Sequence, residues 1–305
     1  MLYKQIEQNK RNTWIMLGIF LVLLLAISVL IGCLLPILGV IFFIFSIGYV
    51  AWNYFRATNT LLKVTGAQEV TRKSNPQIYE MVEELCLAAG MPMPKIYISP
   101  TKEVNAFSTG FDPEHASLVL YQGLLDIMNR DEVRGVIGHE LAHIRNYDIR
   151  ITVLSSILVN FILWTGLGTL LGGWTLVTSD GKGWGTYLIK GFGLLILGFG
   201  AIVSIFAIPI AKLLSLLISR QREYLADAGS ADLTREPSGL ISGLQKLEDL
   251  ENGKKLPQNE KTNNNLVLQS LYFNAGSITK WYQRLFSDHP PLDKRIERLK
   301  NSAKI

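Results

Sequence analysis

Five consecutive residues near the middle of the chain combine two metal-binding side chains with a carboxylate: His139-Glu140-Leu141-Ala142-His143. Because residues four apart lie on the same face of an α-helix, His139 and His143 can direct both imidazoles at one metal ion. Glu140 lies about 100° further around the same turn, so its carboxylate would stand beside the metal without binding it. A metal that polarises a water and a carboxylate that removes its proton are the parts needed for hydrolysis. We therefore predict a zinc site with Glu140 as general base.

The residues around this motif favour a helix that begins near Asp131. Apolar residues recur there at helical spacing: Val133, Val136, Ile137 and Ile144. We expect Asp131 to cap the helix, with Glu132 in the first turn, where a negative charge is favourable. Gly135 and Gly138 are poor helix formers, and they predict that another element packs closely against this helix. A chance match is the alternative, but two of the four His residues in the chain fall within the motif.

The composition is typical of a membrane protein. Of the 305 residues, 49% are hydrophobic and only 18% are charged, and the mean hydropathy is positive. The net charge is +5, but the Lys and Arg residues flank apolar stretches instead of forming a continuous basic arm. This distribution favours the bilayer and its anionic lipid headgroups as neighbours, and it argues against a nucleic-acid partner.

Four stretches with almost no charged residues are long enough to cross a bilayer, and we place the spans at residues 14–31, 37–55, 153–171 and 192–214, of which only the last contains a charged residue, Lys212. They divide the chain into four predicted parts. Residues 1–55 hold a tail and two transmembrane helices, and residues 56–150 hold the first half of a catalytic domain. Residues 151–218 hold two more transmembrane helices, and residues 219–305 hold the second half of the catalytic domain.

The distribution of basic residues predicts the orientation of these spans. Lys and Arg cluster before the first span, after the second, before the third and after the fourth. The positive-inside rule therefore places both termini and the segment 56–150 in the cytoplasm. Two crossings separate the motif from the segment after the fourth span, so that segment lies on the same side of the membrane and can supply a third metal ligand.

Glu223 and Asp227 are the best candidates to complete the site. They lie four residues apart, so a helix places both carboxylates on one face. One could bind zinc, and the other could accept a hydrogen bond from the Nδ1 of a ligand histidine. An ordinary solvated helix face is the alternative. His289 competes as third ligand, although we prefer a role in which it donates a hydrogen bond to the oxyanion of the reaction.

The segment between the second span and the motif predicts a helix and three strands. Asn75-Pro76 begins the helix and Gly90 ends it. The strands are placed at residues 95–98, 104–110 and 116–121. We expect the strand with Asn105, Ala106 and Phe107 to be an open edge, along which an extended substrate could form main-chain hydrogen bonds. A plain interior strand is the alternative.

Taken together, these features resemble the HtpX-type bacterial membrane zinc metallopeptidases, which are called heat-shock proteases, and more distantly the type I CAAX prenyl proteases. The resemblance rests on four spans and four motifs: an Asn105-Ala106-Phe107 strand, His139-Glu140-x-x-His143 before the third span, Glu223-x-x-x-Asp227 after the fourth, and His289-Pro290-Pro291 near the end. It implies that Glu223 is the third ligand of one Zn²⁺ per chain. It also implies proteolytic quality control of membrane proteins, with a stress response as context.

The prediction is thus a mainly α, polytopic membrane protein with four transmembrane helices and a cytoplasmic, zincin-like α+β metalloprotease domain that contains a small sheet. We expect a zinc metalloendopeptidase of the cell membrane that hydrolyses unfolded or membrane polypeptides. A non-catalytic zinc-binding scaffold is the alternative, but an intact Glu140 argues against it because structural zinc sites usually have four protein ligands. A transporter is disfavoured because the only Asp, Glu, Lys, Arg or His within the four predicted spans is Lys212, near the end of the fourth.

Overall fold

The computed structural model describes residues 2–34, 36–181, 183–216, 220–251 and 290–302. Within these ranges the chain forms ten α-helices and one small sheet, so the predicted mainly α class is confirmed. The helices are α1 (Leu2–Leu34), α2 (Pro36–Val64), α3 (Pro76–Ala89), α4 (Gln122–Ile127), α5 (Arg130–Arg145), α6 (Asp148–Val177), α7 (Trp184–Leu216), α8 (Arg220–Thr234), α9 (Pro237–Glu251) and α10 (Leu292–Ser302). The strands are β1 (Gln68–Glu69), β2 (Lys95–Ser99), β3 (Ala106–Thr109) and β4 (Ser117–Tyr121). His289 and the segment 252–265 lie outside the described residues.

Four of these helices are long and apolar enough to cross a membrane, as predicted: Ile6–Cys33, Pro36–Val64, Asp148–Val177 and Trp184–Ile205. The helices extend beyond the predicted spans because helical structure continues into their polar flanks. The clearest case is α2, which continues through Arg56 to Val64 instead of ending at residue 55. No proline or glycine interrupts residues 56–65, and Gly66, with φ of 61°, provides the first left-handed position.

The described chain divides into two compact units. One unit comprises Met1–Ile15, Tyr54–Val153 and Ile218–Ile305, and the other comprises Met16–Asn53 and Leu154–Leu217. The second unit contains the most apolar parts of the four long helices, and glycines permit close helix packing there. A Cβ on Gly173 would lie only 2.5 Å from the backbone nitrogen of Leu197, so α6 and α7 approach each other at this point.

The sheet belongs to the first unit and has the strand order β1-β2-β4-β3. β2 and β4 run parallel, whereas β1 and β3 are antiparallel to their neighbours. β3 is therefore an edge strand of the described sheet. Successive residues face opposite sides, so Leu118 and Leu120 pack into the main core while Phe107 and Val119 pack with Leu61 on the other face. The two-residue β1 was not predicted, because so short a strand shows no alternation.

The helix that carries the histidine motif, α5, begins differently from our expectation. Its N-cap is Asn129, and Asp131 already lies inside the helix, so the predicted cap was wrong. Asn129 Oδ1 accepts from the backbone N–H of Glu132 at 3.0 Å, and Glu132 Oε2 accepts from the backbone N–H of Asn129 at 2.8 Å. This reciprocal capping box satisfies two free helix donors, which a cap at Asp131 would leave unpaired.

Two glycines of α5 allow other helices of the first unit to pack closely, as predicted. A Cβ on Gly135 would lie 2.6 Å from the backbone nitrogen of Leu240 in α9. A Cβ on Gly138 would lie 2.9 Å from Oγ of Ser230 in α8. Ser230 Oγ also donates a 2.6 Å hydrogen bond to the carbonyl of Gly135. The close packing brings α8, with its carboxylates, against the histidine face of α5.

Candidate metal centre

Three side chains from α5 and α8 converge on one point: His139, His143 and Glu223. His139 Nε2 and His143 Nε2 lie 3.1 Å apart. Glu223 Oε2 lies 3.6 Å from His139 Nε2, and its Oε1 lies 3.5 Å from His143 Nε2. Tetrahedral zinc with bonds of about 2.0–2.1 Å separates its ligand atoms by about 3.3 Å. The three residues therefore match both the donor types and the spacing that such an ion requires.

The nitrogen of each imidazole that points away from this centre is held by an aspartate. His139 Nδ1 lies 3.0 Å from Oδ1 of Asp227, and His143 Nδ1 lies 2.8 Å from Oδ2 of Asp148. A carboxylate on Nδ1 holds the ring proton on that side and orients the imidazole, so that Nε2 is the nitrogen directed at the metal position. Of the predicted pair Glu223 and Asp227, it is Asp227 that contacts a histidine Nδ1, and Asp148 performs the same task for the second histidine.

A fully buried arginine from the last helix, Arg295, neutralises the carboxylates beneath the site. Its Nε and Nη2 donate to the two oxygens of Asp227 at 2.9 and 2.6 Å, and its Nη1 lies 3.8 Å from Glu223 Oε2. Burial alone would raise the pKa of Asp227, but the charge and hydrogen bonds of Arg295 outweigh burial and lower it to about 2. Asp227 is therefore ionised at neutral pH.

The carboxylates of Asp227 and Glu223 favour the binding of a cation at the centre. Burial alone would lower the pKa of His139, yet its hydrogen bonds with Asp227 and Glu223 outweigh burial and raise that pKa to about 9. The surroundings of His139 thus favour a positive charge at this point. A bound metal dication can provide that charge in place of a proton.

Glu140 lies beside the three-residue group and is not part of it. Its side chain is buried, and Ser108 Oγ donates a 2.7 Å hydrogen bond to Glu140 Oε2. Ser108 lies on β3, so the edge strand directly contacts the carboxylate that follows the first histidine. The alternation of β3 directs Ser108 towards α5 and Phe107 to the opposite face of the sheet.

The predicted edge residues Asn105, Ala106 and Phe107 are all buried. Asn105 Oδ1 accepts from the backbone N–H of Ala106 at 2.8 Å, and the Asn105 carbonyl accepts from Tyr121 at 3.0 Å. Only the outer backbone edge of this strand could therefore meet an extended peptide. Outside the site, His115 is exposed on a short turn, and its Nδ1 lies 2.8 Å from Oδ1 of Asp112.

Two residues of the centre were missed from the sequence. Asp148 follows His143 by five residues, and the intervening Tyr147 has a φ of 61° that ends α5 and starts α6. A search for helical i,i+4 partners could not find it. Arg295 is separated from Asp227 by 68 residues. It is one of two arginines in a basic final helix, and the sequence does not distinguish between them.

Comparisons with known proteins identify relatives over nearly the whole chain. The profile described as Peptidase family M48 matches residues 72–303. A protein named "Protease HtpX homolog" from Streptococcus gordonii is 39% identical over 304 residues, which cover 98% of this chain and 99% of that protein. A protein of the same name from Streptococcus pneumoniae (strain G54) is 38% identical over 309 residues, which cover 99% and 100%.

A solved structure shares the fold. The crystal structure of S. mikatae Ste24p superposes with a TM-score of 0.50 at 17% identity, and the match covers 96% of this chain and 64% of that one. These relatives confirm the resemblance drawn from the sequence.

Proposed function

The chain belongs to peptidase family M48 and is a membrane metallopeptidase, and from this premise we propose that its metal is zinc, held by His139, His143 and Glu223. The convergence of these three side chains, with an aspartate on each distal imidazole nitrogen, is the observation that carries the proposal. Two imidazoles and one carboxylate form a donor set typical of catalytic zinc, which leaves a position open for water or substrate.

The chemistry is hydrolysis of a peptide bond, with Glu140 as general base. When bound, zinc lowers the pKa of water and polarises the carbonyl of the substrate. Glu140 accepts the proton of the attacking water and returns it to the leaving amine. The hydrogen bond from Ser108 holds one oxygen of Glu140, so the other oxygen is directed to that proton transfer. Asp227 and Asp148 hold Nδ1 of the two histidines, so that Nε2 of each ring is directed at the metal position.

The substrates are unfolded or misfolded polypeptides, including membrane proteins, and the enzyme serves their quality control. An extended peptide adds to the outer edge of β3, where main-chain hydrogen bonds give affinity without a strict sequence requirement. Asn105, Ala106 and Phe107 belong to this edge through their backbone. His289 donates a hydrogen bond to the oxyanion of the reaction, which is the role preferred for it from the sequence.

The enzyme is a multi-pass protein of the cell membrane, with both termini and the active site in the cytoplasm. Its catalytic domain has two halves, residues 56–150 and 219–305, on either side of the third and fourth spans. The test is the reactivity of single cysteines in a cysteine-free background, introduced at the exposed residues Lys73 and Trp184. An impermeant maleimide on intact cells should label position 184 alone, and labelling of position 73 would contradict this orientation.

A non-catalytic zinc-binding scaffold is not favoured. Within the described residues the centre offers three protein ligands and a neighbouring carboxylate, whereas structural zinc usually has four protein ligands and no general base. Relatives at 37–39% identity carry the name of a protease.

The proposed catalysis is tested with full-length protein purified in detergent and loaded with zinc. Cleavage of an unfolded model protein should be lost in Glu140→Gln, while its zinc content stays at the wild-type level, because Glu140 is a base and not a ligand. Glu114→Gln changes an exposed glutamate and should retain full activity. Wild-type cleavage by Glu140→Gln would contradict the assignment of the base.

A further inference from the structure

A buried polar residue of the amino-terminal segment, Asn9, lies beside the metal centre. It precedes the first apolar span, and it is only 2% exposed, whereas its neighbours Gln8 and Lys10 are exposed. Asn9 Nδ2 donates to the carbonyl of Asn146 at 2.8 Å and to Oδ1 of Asp148 at 2.7 Å. This side chain has no role in the proposed reaction, and both of these hydrogen bonds lead to residues outside α1.

Both partners of Asn9 can only accept hydrogen bonds, so the chemistry of the contact is specific. A carbonyl oxygen and an ionised carboxylate require a donor with two N–H groups, which the amide of asparagine supplies. An aspartate at this position would place a like charge against Asp148, and an alanine would leave both acceptors without this donor. The contact therefore depends on the amide and not only on the shape of the side chain.

The segment contacted by Asn9 is the turn that joins the histidine helix to α6. Asn146 ends α5, Tyr147 has a left-handed backbone with φ of 61°, and Asp148 begins α6. Lys10 adds a second contact to this turn, because its Nζ lies 4.6 Å from the centre of the Tyr147 ring. The amino-terminal segment thus holds each residue of a turn whose conformation determines the position of Asp148.

The two oxygens of Asp148 have different partners. Oδ2 lies 2.8 Å from Nδ1 of His143. Oδ1 accepts the hydrogen bond from Asn9 and lies 3.5 Å from Nη1 of Arg222. Because the closest contact of Oδ1 is with Asn9, loss of this residue frees the carboxylate to rotate away from His143. Partners that orient a ligand in this way influence metal binding although they do not touch the metal.

We propose that Asn9 is a positioning residue of the metal centre: it donates to Asp148 and thereby holds His143 in the orientation that binds the metal. This inference rests on the proposed function, in which His143 is a metal ligand. It makes the amino-terminal segment part of the catalytic unit, in addition to its role as the start of the first membrane span.

The test measures metal release from the full-length protein in detergent. Wild type and variants are loaded with zinc or cobalt, and dissociation into a chromophoric chelator is followed together with the cobalt absorption spectrum. Asn9→Ala should release the metal about tenfold faster, at the lower end of the effects of partners that orient metal ligands. Asn9→Asp should release it faster still, and Gln8→Ala, on the exposed side of the same helix, should match wild type.

A double-mutant cycle with Asp148→Asn separates positioning from a general loss of stability. If Asn9 acts through Asp148, then Asn9→Ala should change the release rate less than about twofold in the Asp148→Asn background. An equal effect in both backgrounds, or a wild-type release rate for Asn9→Ala, would overturn the inference. A wild-type protein that binds neither metal would overturn the proposed function itself, and the inference with it.

Discussion

Replacement of Arg295 by methionine should strongly destabilise the first unit of the chain. Arg295 is fully buried and forms a two-pronged ion pair with Asp227 at 2.6 and 2.9 Å. Removing one partner of a buried pair typically costs about 3–5 kcal/mol, because the other charge remains buried and unpaired. Asp227 keeps its 3.0 Å contact with His139 Nδ1, so we expect about 3 kcal/mol. At about 2–4 °C per kcal/mol, the midpoint of thermal unfolding should fall by roughly 6–12 °C.

The assay is thermal unfolding of the metal-free protein in detergent, with Arg298→Met as the matched control. Arg298 lies on the same helix but is exposed, and its guanidinium stacks on Tyr224 at 4.5 Å. Its replacement should cost no more than about 1 kcal/mol. Arg295→Lys should recover only part of the loss, because an ammonium group cannot form the same fork with a carboxylate. Equal unfolding midpoints for Arg295→Met and Arg298→Met would refute the reasoning.

Three further changes give separate expectations. Glu132→Gln should cost about 1–3 kcal/mol at pH 7. Burial alone would raise the pKa of this carboxyl, but hydrogen bonds from its lysine and serine partners lower it. The difference in unfolding free energy between Glu132→Gln and wild type should therefore shrink as the pH falls below about 4.3, the ordinary pKa of a glutamate. It should be lost once the pH has fallen through the lowered pKa of Glu132 in the folded state. Gly135→Ala should cost about 1–3 kcal/mol by forcing α9 away, while Gly172→Ala, with no atom within 4 Å of the new methyl group, should not destabilise the protein. Asp148→Asn should weaken zinc binding about 10–100-fold in a chelator competition, and Asp126→Asn, at an exposed position, should leave it unchanged.

The parts of the metal centre that follow from helical periodicity were predictable from the sequence. His139 and His143, and likewise Glu223 and Asp227, are i,i+4 pairs, and this spacing fixes their common faces whatever the rest of the fold. Periodicity could not show which remote helix would meet them. Arg295 therefore escaped notice, because its position depends on how α10 packs, and Asp148 escaped because it follows a left-handed turn at Tyr147.

The membrane spans were predictable because nearly uncharged stretches of this length have few alternatives, whereas the helix ends were not. Polar residues such as those after Arg56 are compatible with both a helix and a loop, and α2 continues until Gly66 permits a left-handed turn. The cap of α5 was misplaced because both Asn129 and Asp131 are good caps. The reciprocal bond with Glu132, three residues after Asn129, selects the former.

The order of the strands in the sheet could not be predicted from local sequence patterns either. Three strands could be located from their apolar residues, but the parallel pairing of β2 with β4 places β3 at the edge, out of chain order. Strand order depends on contacts between distant residues, which a single sequence does not display. The position of β3 matters to the site, because its Ser108 reaches Glu140.

The proposed metal centre consists of His139, His143 and Glu223, which together hold one catalytic zinc ion. Its most direct test is the zinc content, by elemental mass spectrometry, of full-length wild type and Glu223→Ala after identical loading and removal of excess metal. We expect about one zinc per chain in wild type, because the described residues contain one such three-ligand group. Glu223→Ala should lose most of this zinc while it remains folded by circular dichroism. A folded Glu223→Ala protein that retains the full zinc content of wild type would contradict the account.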